Sequence, residues 1–264
     1  MGRCSGRRCV KQHKRMSYGR FAEVYDQLMS DMPYEQWTRF VLEKKRYLGT
    51  PGTRLLDVGC GTGEWSLQIA QEGFEVTGID LSETMLSIAS NKAYNAGIPL
   101  KLFQQNMADS SGFEPFDIIT IFCDSINYLE KEEDFKSTFY NMYKQLSSGG
   151  LFLFDVHSIF KIDQLFVNQT FTYDDGDVAY IWNSFKGEHS HSVENELSFF
   201  VIDDPEKDRY TRFDELHKQR TFSIDQYRIW LKEAGFTIQS ITADFSTESP
   251  PQENSQRIFF TCTK

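Results

Sequence analysis

The residues of this chain that are best suited to binding a ligand form a glycine-rich run. Asp57, Gly59, Gly61 and Gly63 alternate with other residues directly after a short apolar stretch. Because glycine has no β-carbon, a backbone with glycine at this spacing can turn sharply and let a ligand lie against it. The apolar residues before the run predict a buried strand, and a helical pattern follows the run. The run therefore predicts a site for a nucleotide-like cofactor at the carboxyl end of a strand.

The spacing of the glycines narrows the choice of cofactor. A dinucleotide fingerprint needs G-x-G-x-x-G, a P-loop needs Gly-Lys-Ser/Thr, and this run has neither. Its spacing therefore disfavours a polyphosphate. The next predicted strand, residues 74–80, ends in Asp80, which lies far enough along the chain for its carboxylate to accept the hydroxyl groups of a ribose.

These motifs resemble those of the class I S-adenosylmethionine-dependent methyltransferases, and the resemblance extends over roughly residues 18–155. It implies S-adenosyl-L-methionine as the cofactor. The glycine turn would face the methionine part, Asp80 the ribose, and residues after the next strands the adenine and the methyl acceptor. The cofactor-binding residues that the resemblance implies here are Asp57, Gly59, Cys60, Gly61, Asp80, Leu81, Met85, Asn106, Met107, Ala108, Cys123, Asp124 and Asn127.

Several of these residues also have a structural interpretation. Leu81 and Met85 equally fit a helix that begins at Ser82 and packs its apolar side into the core. Asp57 can fix the loop through hydrogen bonds to backbone amides. Asn106 stands where relatives often carry aspartate; its amide can still pair with a base edge, but it lacks the charge.

The segment before the glycine run, residues 17–48, predicts two helices because apolar residues recur in it at helical spacing. Residues 21–28, Phe-Ala-Glu-Val-Tyr-Asp-Gln-Leu, resemble a helix that folds over the cofactor as a lid in small-molecule methyltransferases. The resemblance implies Tyr18, Phe21 and Tyr25 as lid contacts. Phe21 is equally suited to aromatic packing in the core.

Strands and helices alternate through residues 17–157, with helices predicted at residues 82–95 and 131–146. This alternation predicts a parallel sheet with helices on both faces. After a capping box at residues 223–226, residues 222–264 return to the same sheet with a helix and two strands. The fold class that follows is α/β, with a doubly wound, mostly parallel seven-stranded sheet of the Rossmann-like methyltransferase type.

Residues 158–221 depart from this alternation. Four aromatic and alternating stretches are separated by turn residues such as Asp-Asp-Gly and Asp-Asp-Pro. They predict an antiparallel β cap inserted into the fold. By resemblance to methyltransferases that act on amino acids, amino sugars or small amines, this cap would cover the carboxyl ends of the parallel strands and build the acceptor pocket. It also offers a surface through which chains can associate.

Methyl transfer from a sulfonium depends mainly on holding the acceptor in line and removing one proton where the acceptor carries it. His157 and His217 are the candidate catalytic proton acceptors because imidazole titrates near neutrality, although the more common role for each is that of an ordinary polar residue. Tyr173, Tyr180 and Trp182 can hold a cationic amine through their ring faces or can simply form the core of the cap.

Charge and cysteine content restrict the class of partner. Six of the 28 basic residues and none of the 38 acidic residues lie within residues 1–15, so the rest of the chain is strongly acidic. We expect residues 1–16 to form a basic, disordered leader and the acidic body to repel nucleic acid. Five cysteines form no paired framework, and no stretch approaches 18 apolar residues, so we expect a cytoplasmic protein without a membrane partner or a metal.

The sequence thus predicts a methyltransferase that acts on a nitrogen or oxygen of a small-molecule acceptor. A methyltransferase for RNA or protein is the first alternative, and the acidic balance opposes it. A nicotinamide-dependent oxidoreductase or a non-catalytic cofactor-binding module is the second alternative.

Overall fold

The computed structural model describes residues 25–26, 28–29, 32–204, 206 and 209–264. The expected leader, residues 1–16, and the expected lid contacts Tyr18 and Phe21 lie outside these residues. Within them, the chain forms two separate sheets, one of seven strands and one of four.

Eleven strands and five α-helices are present in the described ranges. The strands are β1 (Arg54–Val58), β2 (Glu75–Asp80), β3 (Lys101–Gln104), β4 (Phe116–Ile121), β5 (Leu146–His157), β6 (Gln169–Asp174), β7 (Val178–Lys186), β8 (Ser192–Asp204), β9 (Arg209–Arg220), β10 (Thr237–Ala243) and β11 (Arg257–Thr263). The helices are α1 (Tyr34–Leu48), α2 (Glu64–Gln71), α3 (Glu83–Ala96), α4 (Glu132–Gln145) and α5 (Ile224–Ala234). None of these helices has both the length and the apolar character needed to span a membrane.

The seven-stranded sheet has the order β10-β11-β5-β4-β1-β2-β3. All neighbours pair in parallel except β11, which runs antiparallel to both β5 and β10. The order reverses next to β1, because the chain builds outward through β2 and β3 on one side and through β4 and β5 on the other. Ligands of such sheets bind beyond the carboxyl ends of the strands at this reversal. The predicted doubly wound, mostly parallel sheet is confirmed.

Helices cover both faces of this sheet, and β5 contributes to both halves of the core. Phe152 packs against Phe139 of α4, with ring centroids 6.1 Å apart. Leu153 is buried on the other face, in the cluster that contains Trp37 of α1. Successive residues of a strand point to opposite faces, so a strand buried on both sides is apolar throughout.

Local sequence signals set the ends of the helices. Ser82 accepts a hydrogen bond from the backbone of Met85 and starts α3, and Gly97 ends that helix in the left-handed conformation. Ser223 caps α5 in the same way by accepting from the backbone of Gln226.

Strands β6 to β9 form the four-stranded antiparallel sheet in sequential order. The predicted antiparallel cap is therefore present. Its inner face packs onto the parallel core, because Val178, Phe199 and Phe213 share a buried cluster with Met85 of α3. A π-helical turn at Lys161–Phe166, which the sequence analysis did not predict, joins β5 to this sheet.

Strand β5 follows α4 without an intervening loop. The helix predicted at residues 131–146 ends at Gln145, and β5 begins at Leu146, so Gly149 and Gly150 lie within the strand. Leu146 pairs with Phe116 of β4, and the register then shifts before Leu151 pairs with Ile118. A two-glycine sequence can sit in such a strand irregularity as well as at a helix end, and the sequence alone does not distinguish the two.

Candidate active site

The glycine turn connects β1 to α2 at the carboxyl edge of the parallel sheet. The backbone N–H groups of Gly59 and Cys60 donate to the carbonyl oxygen of Ile79, at 2.8 and 3.0 Å, which fixes the turn to β2. A β-carbon on Gly59 would lie 2.8 Å from Cβ of Ser125, whereas one on Gly61 would meet no atom of the described residues within 4 Å. Gly59 is therefore required by packing, and Gly61 borders open space.

Asp80 lies at the end of β2, directly beside this turn. Its Oδ2 accepts the backbone N–H of Gly61 at 2.9 Å, and its Oδ1 accepts that of Ser82 at 2.8 Å. Burial raises the pKa of Asp80, although these two hydrogen bonds oppose the shift. The carboxylate thus shapes the turn, while a carboxylate has enough lone pairs to accept two further hydroxyl groups.

Asp57 lies beneath the turn on β1 and is nearly fully buried. It accepts a short hydrogen bond from the Ser66 hydroxyl of α2, and the Thr120 hydroxyl of β4 lies 3.5 Å away. Burial raises the pKa of Asp57 to about 7, and nearby Asp80 adds to the rise. A carboxyl group in this environment exchanges a proton near neutral pH.

The residues expected beside the adenine have different environments. Leu81 is 68% exposed, whereas Met85 is 8% exposed and packs against the cap. Asn106 uses its side-chain oxygen to accept the backbone N–H of Ala108 at 3.0 Å, which starts a short 3₁₀ turn that also contains Met107. The structural interpretation of Met85 as a core residue is therefore supported by its burial.

The residues after β4 form an unusual turn. Cys123 and Asp124 have φ values of +54° and +53°, in the left-handed region that residues with a β-carbon rarely adopt. Their backbone N–H groups donate to the two carboxylate oxygens of Asp155 at 3.0 and 3.1 Å. Arg257 of β11 forms ion pairs with both Asp155 and Asp124.

Asp124 and His157 form a buried polar pair next to this turn. Nε2 of His157 lies 3.2 Å from Oδ2 of Asp124, and Gln219 of the cap donates to the same oxygen at 2.8 Å. Burial would raise the pKa of Asp124, but its contact with His157 and the charge of Arg257 hold it well below its ordinary value. Burial lowers the pKa of His157 and so favours the neutral ring.

His157 is enclosed. Its ring stands edge-on to Phe166 at 5.4 Å, and its Nδ1 is buried without a hydrogen-bond partner among the described residues. Asn127 accepts the His157 backbone N–H at 2.9 Å and donates to the carbonyl oxygen of Arg220 at 2.7 Å. Asn127 therefore ties β5 to the end of the cap.

His217 lies in a separate network on β9. Its Nδ1 is 3.1 Å from the hydroxyl of Tyr128, which is 48% exposed. Burial lowers the pKa of His217 to about 4, so the ring is neutral at physiological pH.

The structure describes two residues of the predicted lid segment, the expected lid contact Tyr25 and its neighbour Asp26. Burial raises the pKa of Tyr25 well above its ordinary value, and nearby Tyr34 and Cys123 add to the shift. Asp26 accepts the hydroxyl of Thr62, within the glycine turn, at 2.6 Å. The segment thus reaches the glycine turn directly.

The aromatic residues proposed to hold a cationic amine pack mainly within the cap. Tyr173 stacks on Tyr180 with ring centroids 5.5 Å apart. Trp182 stands between Phe166 and Phe171, at 5.3 and 4.8 Å. These contacts favour packing within the cap for Tyr180 and Trp182, whereas Tyr173 is 38% exposed.

Sequence reasoning missed Asp155, Arg257 and Gln219. Asp155 is two residues before His157 on β5, so alternation alone places both side chains on one face of the sheet. Arg257 is a charged residue at the start of an otherwise apolar strand. Both signals are visible in the sequence, but their contact depends on strand order.

A glycine turn, a carboxylate at the end of the next strand and a doubly wound sheet define a fold for binding a nucleoside-type cofactor. Residues 55–150 match the family model described as "Methyltransferase domain". The chain is 50% identical over 250 residues to a putative methyltransferase of Geobacillus sp. (strain WCH70). The aligned residues make up 94% of this chain and 100% of that relative.

Two further comparisons agree. A crystal structure of an S-adenosylmethionine-dependent methyltransferase from Clostridium acetobutylicum ATCC 824 is 31% identical, with a TM-score of 0.84 over 93% of this chain and 98% of that one. A dTDP-4-amino-2,3,4,6-tetradeoxy-D-glucose N,N-dimethyltransferase of Saccharopolyspora spinosa is 29% identical over 190 residues, 69% of this chain and 70% of that relative. The chain therefore belongs to the S-adenosylmethionine-dependent methyltransferases. The predicted enzyme class and cofactor are confirmed.

Proposed function

We propose that this enzyme transfers a methyl group to a nitrogen or oxygen atom of a small-molecule acceptor held between the parallel sheet and the cap. The observation that carries the proposal is the contact of Gln219 of β9 with Asp124 after β4, at 2.8 Å. This contact brings the inserted sheet to the carboxyl edge where the cofactor turn lies. The similarity to a sugar N,N-dimethyltransferase supports an acceptor of this size.

The residues at the glycine turn fit the cofactor. The space beside Gly61 is free of described atoms within 4 Å, and the Asp80 carboxylate borders the same turn. Asp80 would hold the ribose hydroxyls, and Asp57 with the Gly59–Gly61 backbone would lie toward the methionine part. When bound, S-adenosylmethionine supplies an activated methyl group on a sulfonium, so the protein needs to orient the acceptor and exclude water.

Proton removal is a secondary task of this site. Nε2 of His157 is engaged with Asp124 and its Nδ1 is enclosed, so it is poorly placed to receive a proton from an acceptor. His217 is held in a comparable way, because its Nδ1 lies 3.1 Å from the hydroxyl of Tyr128 and its Nε2 is buried. A ring with a pKa of about 4 is a weak base, so we expect positioning to dominate the rate.

An acceptor screen tests the function. Purified protein is incubated with S-adenosylmethionine and panels of amino sugar nucleotides, small amines, phenols, RNA and peptides, and release of S-adenosylhomocysteine is measured. We expect turnover with a small molecule only. Turnover restricted to RNA or peptides would overturn the acceptor class. Calorimetric binding of NAD in place of S-adenosylhomocysteine would favour the oxidoreductase alternative.

We further propose that any self-association of this chain uses the cap. Its outer face exposes Ile181 and Phe185 of β7 and Leu216 of β9. Light scattering of wild type and Phe185→Ser tests this proposal. If wild type is an oligomer and Phe185→Ser has the same mass, the proposal is contradicted.

We place the reaction in the cytoplasm, as the free thiols of Cys60, Cys123 and Cys262 suit a reducing compartment. Cell fractionation tests this location.

A further inference from the structure

Asp155 is a buried carboxylate that receives four donors. Its Oδ1 accepts the indole N–H of Trp37 at 2.9 Å and the backbone N–H of Cys123 at 3.0 Å. Its Oδ2 accepts the backbone N–H of Asp124 and pairs with the guanidinium of Arg257. The side chain of Asp155 is 0% exposed, so each of these hydrogen bonds acts in a region of low dielectric.

Strand register explains why a residue of the last strand reaches this place. Arg257 of β11 pairs with His157 of β5, and Asp155 lies two residues earlier on the same strand. Directly paired residues and residues two apart on a strand share one face of the sheet. Arg257 therefore lies beside Asp155, and its second nitrogen reaches Oδ1 of Asp124 at 2.9 Å.

The carboxylates of Asp155 and Asp124 hold the turn after β4 in an unfavourable backbone conformation. Cys123 and Asp124 both have positive φ, and non-glycine residues keep such angles only where surrounding contacts impose them. The donors and the guanidinium supply those contacts. The buried network is therefore concerned with the shape of this turn as well as with the packing of β5 against β11.

The turn contacts two other parts of the molecule. Ser125, the next residue, lies against Gly59, and its hydroxyl is 3.4 Å from the Gly59 carbonyl oxygen. Asp124 also accepts from Gln219 of the cap. The turn thus contacts both the cofactor loop and the sheet that we propose to cover the acceptor.

We propose that Asp155 and Arg257 are positioning residues for methyl transfer, which hold the Cys123–Asp124 turn so that the cofactor loop and the cap keep their mutual placement. This inference rests on the proposed function for the acceptor side. On the cofactor side it rests only on the contact between Ser125 and Gly59. Both side chains are buried and contact the turn, so the role we assign to each acts through the turn.

The test compares Asp155→Asn and Arg257→Lys with wild type. Arg228→Lys is the matched control, because Arg228 also pairs with an aspartate, Asp225, but on the exposed surface of α5. Two quantities are measured: the affinity for S-adenosylhomocysteine by calorimetry, and the rate of alkylation of each cysteine by N-ethylmaleimide, resolved by peptide mass spectrometry. Cys123 reports the turn, and the fully buried Cys262 reports global unfolding.

We expect both site variants to bind S-adenosylhomocysteine about tenfold more weakly and to alkylate Cys123 about tenfold faster, since each loses hydrogen bonds to a charged group. Cys262 should react at the wild-type rate. The control variant should match wild type in every measurement. Arg257→Lys should be milder than Asp155→Asn, because lysine keeps the charge but cannot bridge both carboxylates.

Two results would overturn the inference. One is wild-type affinity together with wild-type reactivity of Cys123 in a folded variant. The other is a parallel rise of Cys123 and Cys262 reactivity with unchanged affinity of the folded fraction, which indicates a purely stabilising role. If Asp155→Asn does not fold, Arg257→Lys decides the question. Failure of wild type itself to bind S-adenosylhomocysteine would instead contradict the function.

Discussion

Gly61 donates its backbone N–H to Oδ2 of Asp80 at 2.9 Å, so the glycine turn and the carboxylate of the neighbouring strand hold each other in place. The same carboxylate is held from the other side by the backbone of Ser82 at 2.8 Å. A ligand that uses Asp80 therefore meets an acceptor that is already oriented. Such preorganisation reduces the entropy that binding must overcome.

Replacement of this carboxylate should weaken cofactor binding. We expect Asp80→Ala to lose about 1 to 3 kcal/mol of binding free energy for S-adenosylhomocysteine, because charged hydrogen bonds to the ribose and to the turn disappear. Calorimetry measures the loss. Glu75→Ala, at the exposed start of the same strand, is the matched control and should bind as wild type does. Equal affinity of the two variants would remove Asp80 from the site.

A β-carbon at Gly61 should interfere with the ligand rather than with the protein. No atom of the described residues lies within 4 Å of a β-carbon placed on Gly61, whose φ is +55°. The same holds for Gly73, which also has positive φ but lies at the end of α2. We expect Gly61→Ala and Gly73→Ala to lose similar stability, about 1 to 2 kcal/mol each. Only Gly61→Ala should lose affinity for S-adenosylhomocysteine, by about tenfold or more.

Thermal melts and calorimetry on both glycine variants separate strain from ligand contact. If Gly73→Ala weakens binding as much as Gly61→Ala, the strained backbone alone explains the loss. If Gly61→Ala binds normally while folded, the close approach of the ligand to the turn is wrong.

The fold could be predicted from sequence because its signals are local. Ser223 starts α5 at the predicted capping box and Gly235 ends it, since an N-cap serine and a left-handed glycine act within one helical turn. The apolar strands before Gly59 and Asp80 are likewise visible without tertiary information. Alternation of such strands with helices then restricts the topology to a doubly wound sheet.

The network behind the turn could not be predicted in the same way. Arg257 and Asp124 are 133 positions apart, and their contact requires β11 to insert between β5 and β10. Sequence indicates that both strands exist but not which edge each one joins. The role of Met85 could not be predicted for a different reason. Its position on the helix suits either contact with a ligand or packing in the core, and only its contact with the cap distinguishes these two roles.

The titration of Asp57 should make stability depend on pH. Its pKa is about 7 in the folded state and about 3.9 when unfolded, so the folded state retains a proton that the unfolded state has lost. The contribution of Asp57 to the free energy of unfolding should therefore fall as pH rises from about 4 to 7, and should stay low above that range. Asp57→Asn lacks this contribution, so it should gain about 2.5 kcal/mol relative to wild type between pH 5 and pH 8.

Urea unfolding of wild type and Asp57→Asn at the two pH values measures this difference. Asp109→Asn, on an exposed carboxylate, is the control and should show the pH dependence of wild type. A constant difference between wild type and Asp57→Asn across this pH range would contradict the raised pKa.

His217 should stay neutral well below the usual range of histidine. Because burial lowers its pKa to about 4, its ring resonances should not shift between pH 8 and pH 5.5 in an NMR titration. The unfolded state takes up a proton near pH 6.5, so the contribution of His217 to stability should decline as pH falls from about 6.5 to 4. His217→Gln assigns the resonances and should weaken this decline. A midpoint near 6.5 for the folded ring would exclude the enclosed neutral imidazole.

The contacts of Asp26 predict how long the cofactor stays bound. Asp26 accepts from Thr62 inside the glycine turn at 2.6 Å and pairs with Lys92 of α3 at 2.6 Å, while Lys92 also pairs with Glu64 at 2.8 Å. These partly buried charges join the lid segment to both sides of the turn. Lys92→Met keeps the apolar stem and removes the charge, so we expect S-adenosylhomocysteine to dissociate about fivefold faster, which corresponds to about 1 kcal/mol.

Stopped-flow displacement measures that dissociation rate for Lys92→Met, Asp26→Asn and the double variant. Because Lys92 and Asp26 act through one ion pair, the double variant should dissociate little faster than either single variant, whereas independent effects would multiply. Lys101→Met, at the exposed start of β3, is the matched control and should keep the wild-type rate. The screening of partly exposed charges by salt gives a second check, since the difference between wild type and Lys92→Met should shrink at high ionic strength. The proposed role of this ion pair in retaining the cofactor would be contradicted if the effects of the two single variants on the dissociation rate multiplied in the double variant. It would also be contradicted if the difference between wild type and Lys92→Met persisted in high salt.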